Sequence, residues 1–458
     1  MKSVRMVAII VGSVFLFSFA CCKSDDAPAV QTEPKTEKKE PNPNDFFGLV
    51  DYDQKHTDGS YSESDYARNG KTYTFTANDI SGDGLQQKVN ALASGDTLIL
   101  DGSKGQFNLK TVRVKQSKIT IKGTNNAVLD FSATYGEYTQ EKIDEAVAKV
   151  KAGASTGGSH YLSAYDKTMY EALQKGRGFY IDGNYNVFED MVIQNASDNG
   201  MLFISSGTKS PGGNNNIIRN VEARFCGDSG FQLSGRAIDP IDCPEEYSEI
   251  GPMYNKFFKC YSHDNYDPWN LGENADGFAV KGGASDFNYF ENCVAEYNSD
   301  DGWDCFRIRG SATWVNCKAN YNGIRTATKE VWGDCSNGNG FKVGGGAKDG
   351  VLNGQTVNSP EKHPHAQYLK GCSAVGNRGN SGVGFDRNNQ YGSLYLVDCY
   401  ATDNHANIYI GNKTTLRHED YAFGSYGHTC YALRCYIGAS TDVVGGKYNG
   451  DTITVKAP

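Results

Sequence analysis

The sequence predicts an all-β chain wound as a parallel β-helix, with a capping helix at the N-terminal end and a helical excursion around residues 139–175. Two recurring segments and the corners between them carry that expectation. Cys293-Val294-Ala295-Glu296-Tyr297-Asn298 returns as Cys317-Lys318-Ala319-Asn320-Tyr321-Asn322, again from Cys372 to Asn377, and again from Cys399 to Asn404. The stretch from Cys260 to Asn265 fits as well, and Val221 to Cys226 keeps the shape with other residues. Between the copies lie pairs of glycine with a large apolar residue: Gly200-Met201, Gly230-Phe231, Gly277-Phe278, Gly302-Trp303, Gly340-Phe341 and Gly384-Phe385. Short strands separated by Gly, Asn and Asp corners, with two motifs per turn, describe a solenoid, whereas a propeller blade needs about four strands and a constant longer period.

In chain order, Lys2 and Arg5 precede the apolar run Val7 to Phe19, and Ala20 stands before Cys21 and Cys22. A short apolar core ending at a small residue is an export signal rather than a membrane span. Cys21 after Ala20, with Cys22 as the alternative, resembles the lipid-accepting cysteine of bacterial lipoproteins, although Ser18 stands where a leucine is usual. Residues 1–20 are therefore expected to be a lipoprotein-type signal peptide, and Lys23-Ser24-Asp25-Asp26 an acidic tag for the cell surface. The expectation is an exported outer-membrane lipoprotein, lipid-anchored and monomeric. Residues 21–69 form a tether and N-terminal extension: Lys23 to about Asp45 is Pro, Glu, Lys and Thr, too polar to fold.

Residues 70–458 form the expected β-helix domain. Thr72 to Thr76 alternates like a strand, Leu85 to Leu92 is a short amphipathic helix, and Thr97 to Leu100 is a buried strand. A helix feeding the first strand covers an open sheet end. Val112 to Val114 and Ile119 to Ile121 are further strands, while Glu141 to Lys151 and Thr168 to Lys175, rich in Ala, Glu and Lys, are helical.

Aligning the coils on the glycine pairs fixes which residues share a face. Met201, Phe231, Phe278, Trp303, Phe341 and Phe385 point inward, so strand alternation turns Leu202, Gln232, Ala279, Asp304, Lys342 and Asp386 outward. The repeated cysteines become stacked, buried and mostly free thiols, despite 13 cysteines in an exported chain. The repeated asparagines become a corner ladder.

The same register puts Asp304 and Lys342 on one outer face in adjacent coils, roughly 5 Å apart. Asp276 and Asp301, each just before its glycine, form a second stacked pair, and Asp300 flanks it. Taken singly these are ordinary turn aspartates. Four together repel when bare, and a Ca²⁺ ion with six to eight oxygen ligands removes the conflict. The net charge of −9 argues against nucleic acid, which needs a basic face, and leaves room for an anionic substrate bridged by a cation.

Asp276-Gly277-Phe278, Asp300-Asp301-Gly302-Trp303-Asp304 and Gly338-Asn339-Gly340-Phe341-Lys342 resemble segments of the pectate lyases of polysaccharide lyase family 9, a likeness covering roughly residues 180–415. The resemblance implies a right-handed parallel β-helix, a Ca²⁺ held by Asp276, Asp300, Asp301 and Asp304, and Lys342 as catalytic base. It implies β-elimination on a galacturonate-containing pectic polysaccharide, with homogalacturonan and the rhamnogalacturonan I backbone both open as substrates.

Other readings compete. Lys281, outward and one coil below Asp304, is a rival base, or else a point charge for a uronate carboxylate. Arg307, Arg309 and Arg387 are weaker carboxylate contacts, the pair His363 and His365 lacks a third metal ligand, and Gly344-Gly345-Gly346 lacks the P-loop ending. A non-catalytic carbohydrate-binding solenoid and a glycoside hydrolase using paired carboxylates are the alternatives from other classes.

Overall fold

The computed structural model describes residues 61–444, apart from 206–211, 236–251, 282–286, 307, 309–310, 333–334, 344–349, 353–354, 358–366, 387–393, 411–412, 419–420, 423–429, 434 and 438–442. The expected signal peptide, the expected lipid-accepting cysteine and most of the expected tether lie outside the described residues. So do Arg307, Arg309, Arg387, the triple glycine at 344–346 and the histidine pair at 363–365.

Parallel pairing dominates, as expected of stacked coils. A ten-stranded sheet, which carries the site, runs through Val112–Val114, Phe179–Ile181, Met201–Ile204, Phe231–Ser234, Phe278–Lys281, Trp303–Phe306, Phe341–Lys342, Phe385–Asp386, Tyr421–Ala422 and Val443–Val444. The other two rows of strands merge into one 19-stranded sheet through the long strands Val187–Gln194 and Ile217–Arg224.

The register is the one the glycine pairs predict: Met201 pairs Phe231, then Phe278, Trp303, Phe341 and Phe385 in turn. These side chains point inward and are fully buried. Their rings stack, with centroids 4.9 Å apart from Phe231 to Phe278, 4.1 Å from Phe278 to Trp303 and 5.7 Å from Trp303 to Phe341. Each coil thus presents the next with a flat apolar ring at close contact, which is where much of the burial energy resides.

Two asparagine ladders hold the corners. Asn265 donates its backbone and side-chain N–H to Asn298 Oδ1, Asn298 does the same to Asn322, Asn322 to Asn377, and Asn377 to Asn404. This is the expected ladder. A second one, through Asn186, Asn216, Asn255 and Asn288, was not anticipated. Each member follows a left-handed residue: Tyr185, Asn215, Tyr254 and Phe287 precede the second ladder, and Asp264, Tyr297, Tyr321 and Asp403 precede the first. Such backbone strains a side chain. Mutual stacking compensates, with Tyr254 on Phe287 and Tyr297 on Tyr321 at 5.0 and 5.3 Å. Cys260, Cys293, Cys317, Cys372 and Cys399, at the repeat positions, are thiols without a disulfide and are buried in one stack, as expected.

Among the described residues three α-helices accompany the coils. Helix α1 (Gly84–Asn90) buries Leu85 and Val89 at the N-terminal end, in the capping place expected. Helix α2 (Gln140–Ser155) starts at the Thr139 cap and runs beyond Lys151, and α3 (Lys167–Leu173) starts at the Asp166 cap, whose carboxylate accepts Met169 N–H at 2.9 Å. The excursion is not detached from the coils. Ile143, Val150, Leu162, Met169 and Leu173 pack with Trp269 and Leu271, in the loop that leads into Asp276.

Candidate functional site

Strand alternation and coil register, both fixed by the buried rings, deliver the acidic residues to one place. Trp303 is locked between Phe278 and Phe341, so Asp304 points to the opposite side, in register with Ala279 and Lys342. Gly277 N–H donates to Asp301 O, which stacks Asp301 directly over Asp276. A Cβ at Gly277 would sit 2.6 Å from Ala295 Cβ, so only glycine permits that approach.

Asp276, Asp301 and Asp304 converge: one carboxylate oxygen from each lies within 4.8 Å of the others. All three are buried, at 0%, 0% and 4% exposure. Asp300, also buried, turns aside to accept Asn337 N–H at 2.8 Å and is a neighbour of the trio rather than a member. Asp301 Oδ1 accepts Asn339 N–H at 2.8 Å, and Asp276 Oδ1 accepts Asp301 N–H at 3.1 Å. These bonds aim the remaining oxygens at a common point. Ser229, whose hydroxyl donates to Asp276 Oδ2 at 3.1 Å, escaped the sequence reading. Its signal was there, since Ser229 stands before Gly230 just as Asp276 stands before Gly277.

Two lysines close the group. Lys342 Nζ is 3.0 Å from Asp301 Oδ2 and 3.4 Å from Asp304 Oδ1. Lys281 Nζ is 2.7 Å from Asp276 Oδ2 and 3.2 Å from Asp304 Oδ2. Both lysines named from the sequence therefore reach the acidic cluster.

Burial strains this arrangement electrically. Desolvation lifts the Asp276 carboxyl to about 8, with Asp304 and Asp301 adding to the rise against the pull of Lys281. Burial likewise raises Asp300 well above the carboxylate range, and Asp301 is raised for the same reason. Asp304 is held low because Lys342 and Lys281 outweigh its desolvation. Burial would lower both lysines, but the carboxylates around them win and keep each protonated.

With all four carboxyls ionised the two ammonium groups would offset only half of their charge, which is why burial raises Asp276, Asp300 and Asp301 while the site holds no cation. Asp304 Oδ1, buried, has the 3.4 Å ion pair with Lys342 and accepts no closer hydrogen bond. A buried cage of converging carboxyl oxygens, with more acidic groups than ammonium partners, fits a hard divalent cation.

Residues 66–419 match the family model described as the Pel9A-like right-handed β-helix region. The match starts far before residue 180, so it takes in the capping helix and the excursion that the motifs left outside. Pectate lyase L of Paenibacillus polymyxa (strain SC2) is 38% identical over 174 residues, 37% of this chain and 35% of the relative. Pectate lyase L of Thermoclostridium stercorarium is 30% identical over 308 residues, 66% of this chain and 21% of the relative. The chain thus spans about a third or less of the length of these two relatives. The crystal structure of pectate lyase Pel9A superposes with a TM-score of 0.54 at 20% identity, covering 86% of this chain and 83% of that one, a likeness of fold. With most of its length inside the family model, the chain belongs to the Pel9A-like right-handed β-helix family.

Proposed function

We propose that this protein is a calcium-dependent lyase that cleaves a galacturonate-containing pectic polysaccharide by β-elimination. The observation that carries the reading is the buried Asp276, Asp301 and Asp304 trio with Lys342 Nζ 3.0 Å from one of its oxygens. Relatives named pectate lyase support the substrate class.

Asp276, Asp301 and Asp304 would hold the ion, with Asp300 completing the negative field. Once bound, a divalent cation supplies Lewis acidity, neutralising the uronate carboxylate and offsetting the negative field that keeps Lys342 protonated. Lys342 Nζ, relieved of its proton, accepts the proton on C5 of the sugar. The C5–H electron pair becomes the C4–C5 double bond, and the C4–O bond breaks to release the chain beyond. Lys281, held by Asp276 and Asp304, stays charged and orients the uronate carboxylate as a point charge. Buried donors at Asn337, Asn339 and Ser229 keep the carboxylates from turning during the cycle.

The test is the ultraviolet absorbance of the unsaturated product on polygalacturonate. Wild type produces it with calcium and loses it in EGTA, and Lys342→Ala loses it with calcium present. Saturated product ends, or turnover that survives chelation, would overturn the reading in favour of a hydrolase. The leader sequence supports placing the enzyme at the outer-membrane surface by a lipid on Cys21, which palmitate labelling of wild type against Cys21→Ala tests.

A further inference from the structure

The face that carries the acidic trio continues, in the same two columns of residues, to a place outside the proposed catalytic centre. Glycine N–H groups link the column before each glycine: Gly178 donates to Asn199 O, Gly200 to Ser229 O, Gly230 to Asp276 O, and Gly277 to Asp301 O. Arg177, just before Gly178, therefore stands in the column of Asp276 and Asp301. The second column runs Arg113, Tyr180, Leu202, Gln232, Ala279, Asp304 and Lys342, each in register with the next. Tyr180 is four coils from Asp304, about 19 Å along the stack at ~4.8 Å per coil.

Around Tyr180 the two columns make a distinct arrangement. Arg113 Cζ lies 4.8 Å and Arg177 Cζ 5.6 Å from the centre of its ring. Asp182 engages one Nη of Arg113 at 2.6 Å, and Asp198 one Nη of Arg177 at 2.9 Å. Each guanidinium has five N–H donors, so single-nitrogen pairing leaves donors for a further carboxylate. The side chains of Arg113 and Arg177 are 42% and 23% exposed. Burial and the neighbouring Asp228 push Asp198 well above the carboxylate range, against the pull of Arg177, so this partner neutralises Arg177 incompletely.

We infer that Arg113, Tyr180 and Arg177 form a distal subsite that binds a uronate of the same polysaccharide chain, remote from the bond being broken. This inference rests on the proposed substrate class. An aromatic ring offers a platform to the apolar face of a sugar, and guanidinium forks match a carboxylate. Between the two ends Leu202 and Ala279 are buried, and Gln232 is the partly exposed member of the column. Leu202 is apolar, Gln232 presents an amide steadied by Asn199 at 3.2 Å, and Ala279 is small beside Asp304. A single chain would thus meet aromatic and cationic contacts at one end and the acid-rich cage at the other.

The experiment is calorimetric binding of short and long saturated oligogalacturonides, with calcium, to the full-length Lys342→Ala protein. The long ligand spans to Tyr180 and the short one does not. The long ligand is expected to bind roughly tenfold or more tightly, and Tyr180→Ala in that background to abolish the advantage. Arg113→Gln, which removes one of the two guanidinium groups beside the ring, is expected to reduce it and serves if Tyr180→Ala fails to fold. Equal affinity for the two lengths, or an advantage untouched by both substitutions, overturns the subsite and shows an internal staple between coils. Cleavage by wild type is measured separately. A length advantage without unsaturated product overturns the lyase reading alone, and product without a length advantage overturns the subsite alone.

Discussion

Lys281 Nζ lies 2.7 Å from Asp276 Oδ2, closer than Lys342 comes to any of the acidic trio, and the two lysines share Asp304, one on each oxygen. Asp304 is consequently the hinge of the charge network. Lys281 is tied to the coil of Asp276 and Lys342 to the coil of Asp301, so removing either lysine leaves a different carboxylate without its partner.

Exchanging the lysines separates their roles. Lys342→Ala is expected to lower kcat on polygalacturonate by about 10²–10⁴-fold, the usual contribution of a general base, with a smaller change in KM. Lys281→Ala is expected to raise KM more than it lowers kcat. Initial rates of unsaturated product formation check both, and the reverse pattern would make Lys281 the base.

A cation held by the buried trio would be bound by the folded chain alone and so would stabilise it. Calcium at about 100 times its dissociation constant is expected to add roughly 2.7 kcal/mol of stability, seen as a rise in Tm that EGTA reverses. Asp301→Asn removes one charged ligand and is expected to shrink that rise. A Tm indifferent to calcium in wild type would count against the cage.

His263 gives the fold a pH dependence away from the site. Burial alone would lower its pKa, but Asp264 at 2.7 Å and Glu222 at 3.2 Å outweigh it and hold the imidazolium. The folded value is thus raised above the unfolded value of about 6.5. Its stabilisation is fully present below the unfolded value and lost as pH rises through the folded one. The urea midpoint of wild type relative to His263→Gln is expected to fall between mildly acidic and alkaline pH. A difference that stays constant or grows would contradict the assignment.

Particular residues show how far the sequence could be read. Gly277-Phe278, Gly302-Trp303 and Gly340-Phe341 fix coil register because a buried ring allows no slip, and from register alone Asp304 meets Lys342. Alternation cannot show where a turn aspartate aims its carboxylate. Asp300 and Asp301 are chain neighbours, yet the backbone N–H groups of Asn337 and Asn339 aim them differently. The ladder through Asn186, Asn216, Asn255 and Asn288 stayed hidden because its flanking residues vary from Tyr to Asn to Phe, sharing only a left-handed backbone. The seat of the helical excursion on Trp269 is a contact between residues 96 to 126 positions apart, and no local pattern encodes it.

The asparagine ladder makes one substitution costly. Asn322 is fully buried, accepts from Asn298 and donates to Ala295 O and Asn377 Oδ1. Asn322→Ala strands several polar groups in the core. At roughly 1–3 kcal/mol for each unsatisfied group, a loss of about 3 kcal/mol or more is expected in chemical denaturation. A loss under 1 kcal/mol would mean that the ladder is replaceable by rearrangement.

Trp269 links the helical excursion to the acidic trio. Its buried ring packs among Ile143, Val150, Met169 and Leu173, and a Cβ at Gly227 would lie 2.5 Å from it, so the indole occupies a closely fitted seat. The loop it anchors leads to Asp276 through Asn274, whose amide donates to Asp267 at 3.2 Å and whose carbonyl accepts from Ser229. Trp269→Ala is expected to cost about 3–5 kcal/mol from the cavity alone and, beyond that, to raise the calcium concentration needed for half-maximal activity. Phe290→Leu, in the stacked core but outside this loop, supplies the comparison. At a temperature where both variants are folded, the calcium midpoint should move for Trp269→Ala and stay near wild type for Phe290→Leu. Equal midpoints would show that the helices stabilise the coils without positioning Asp276.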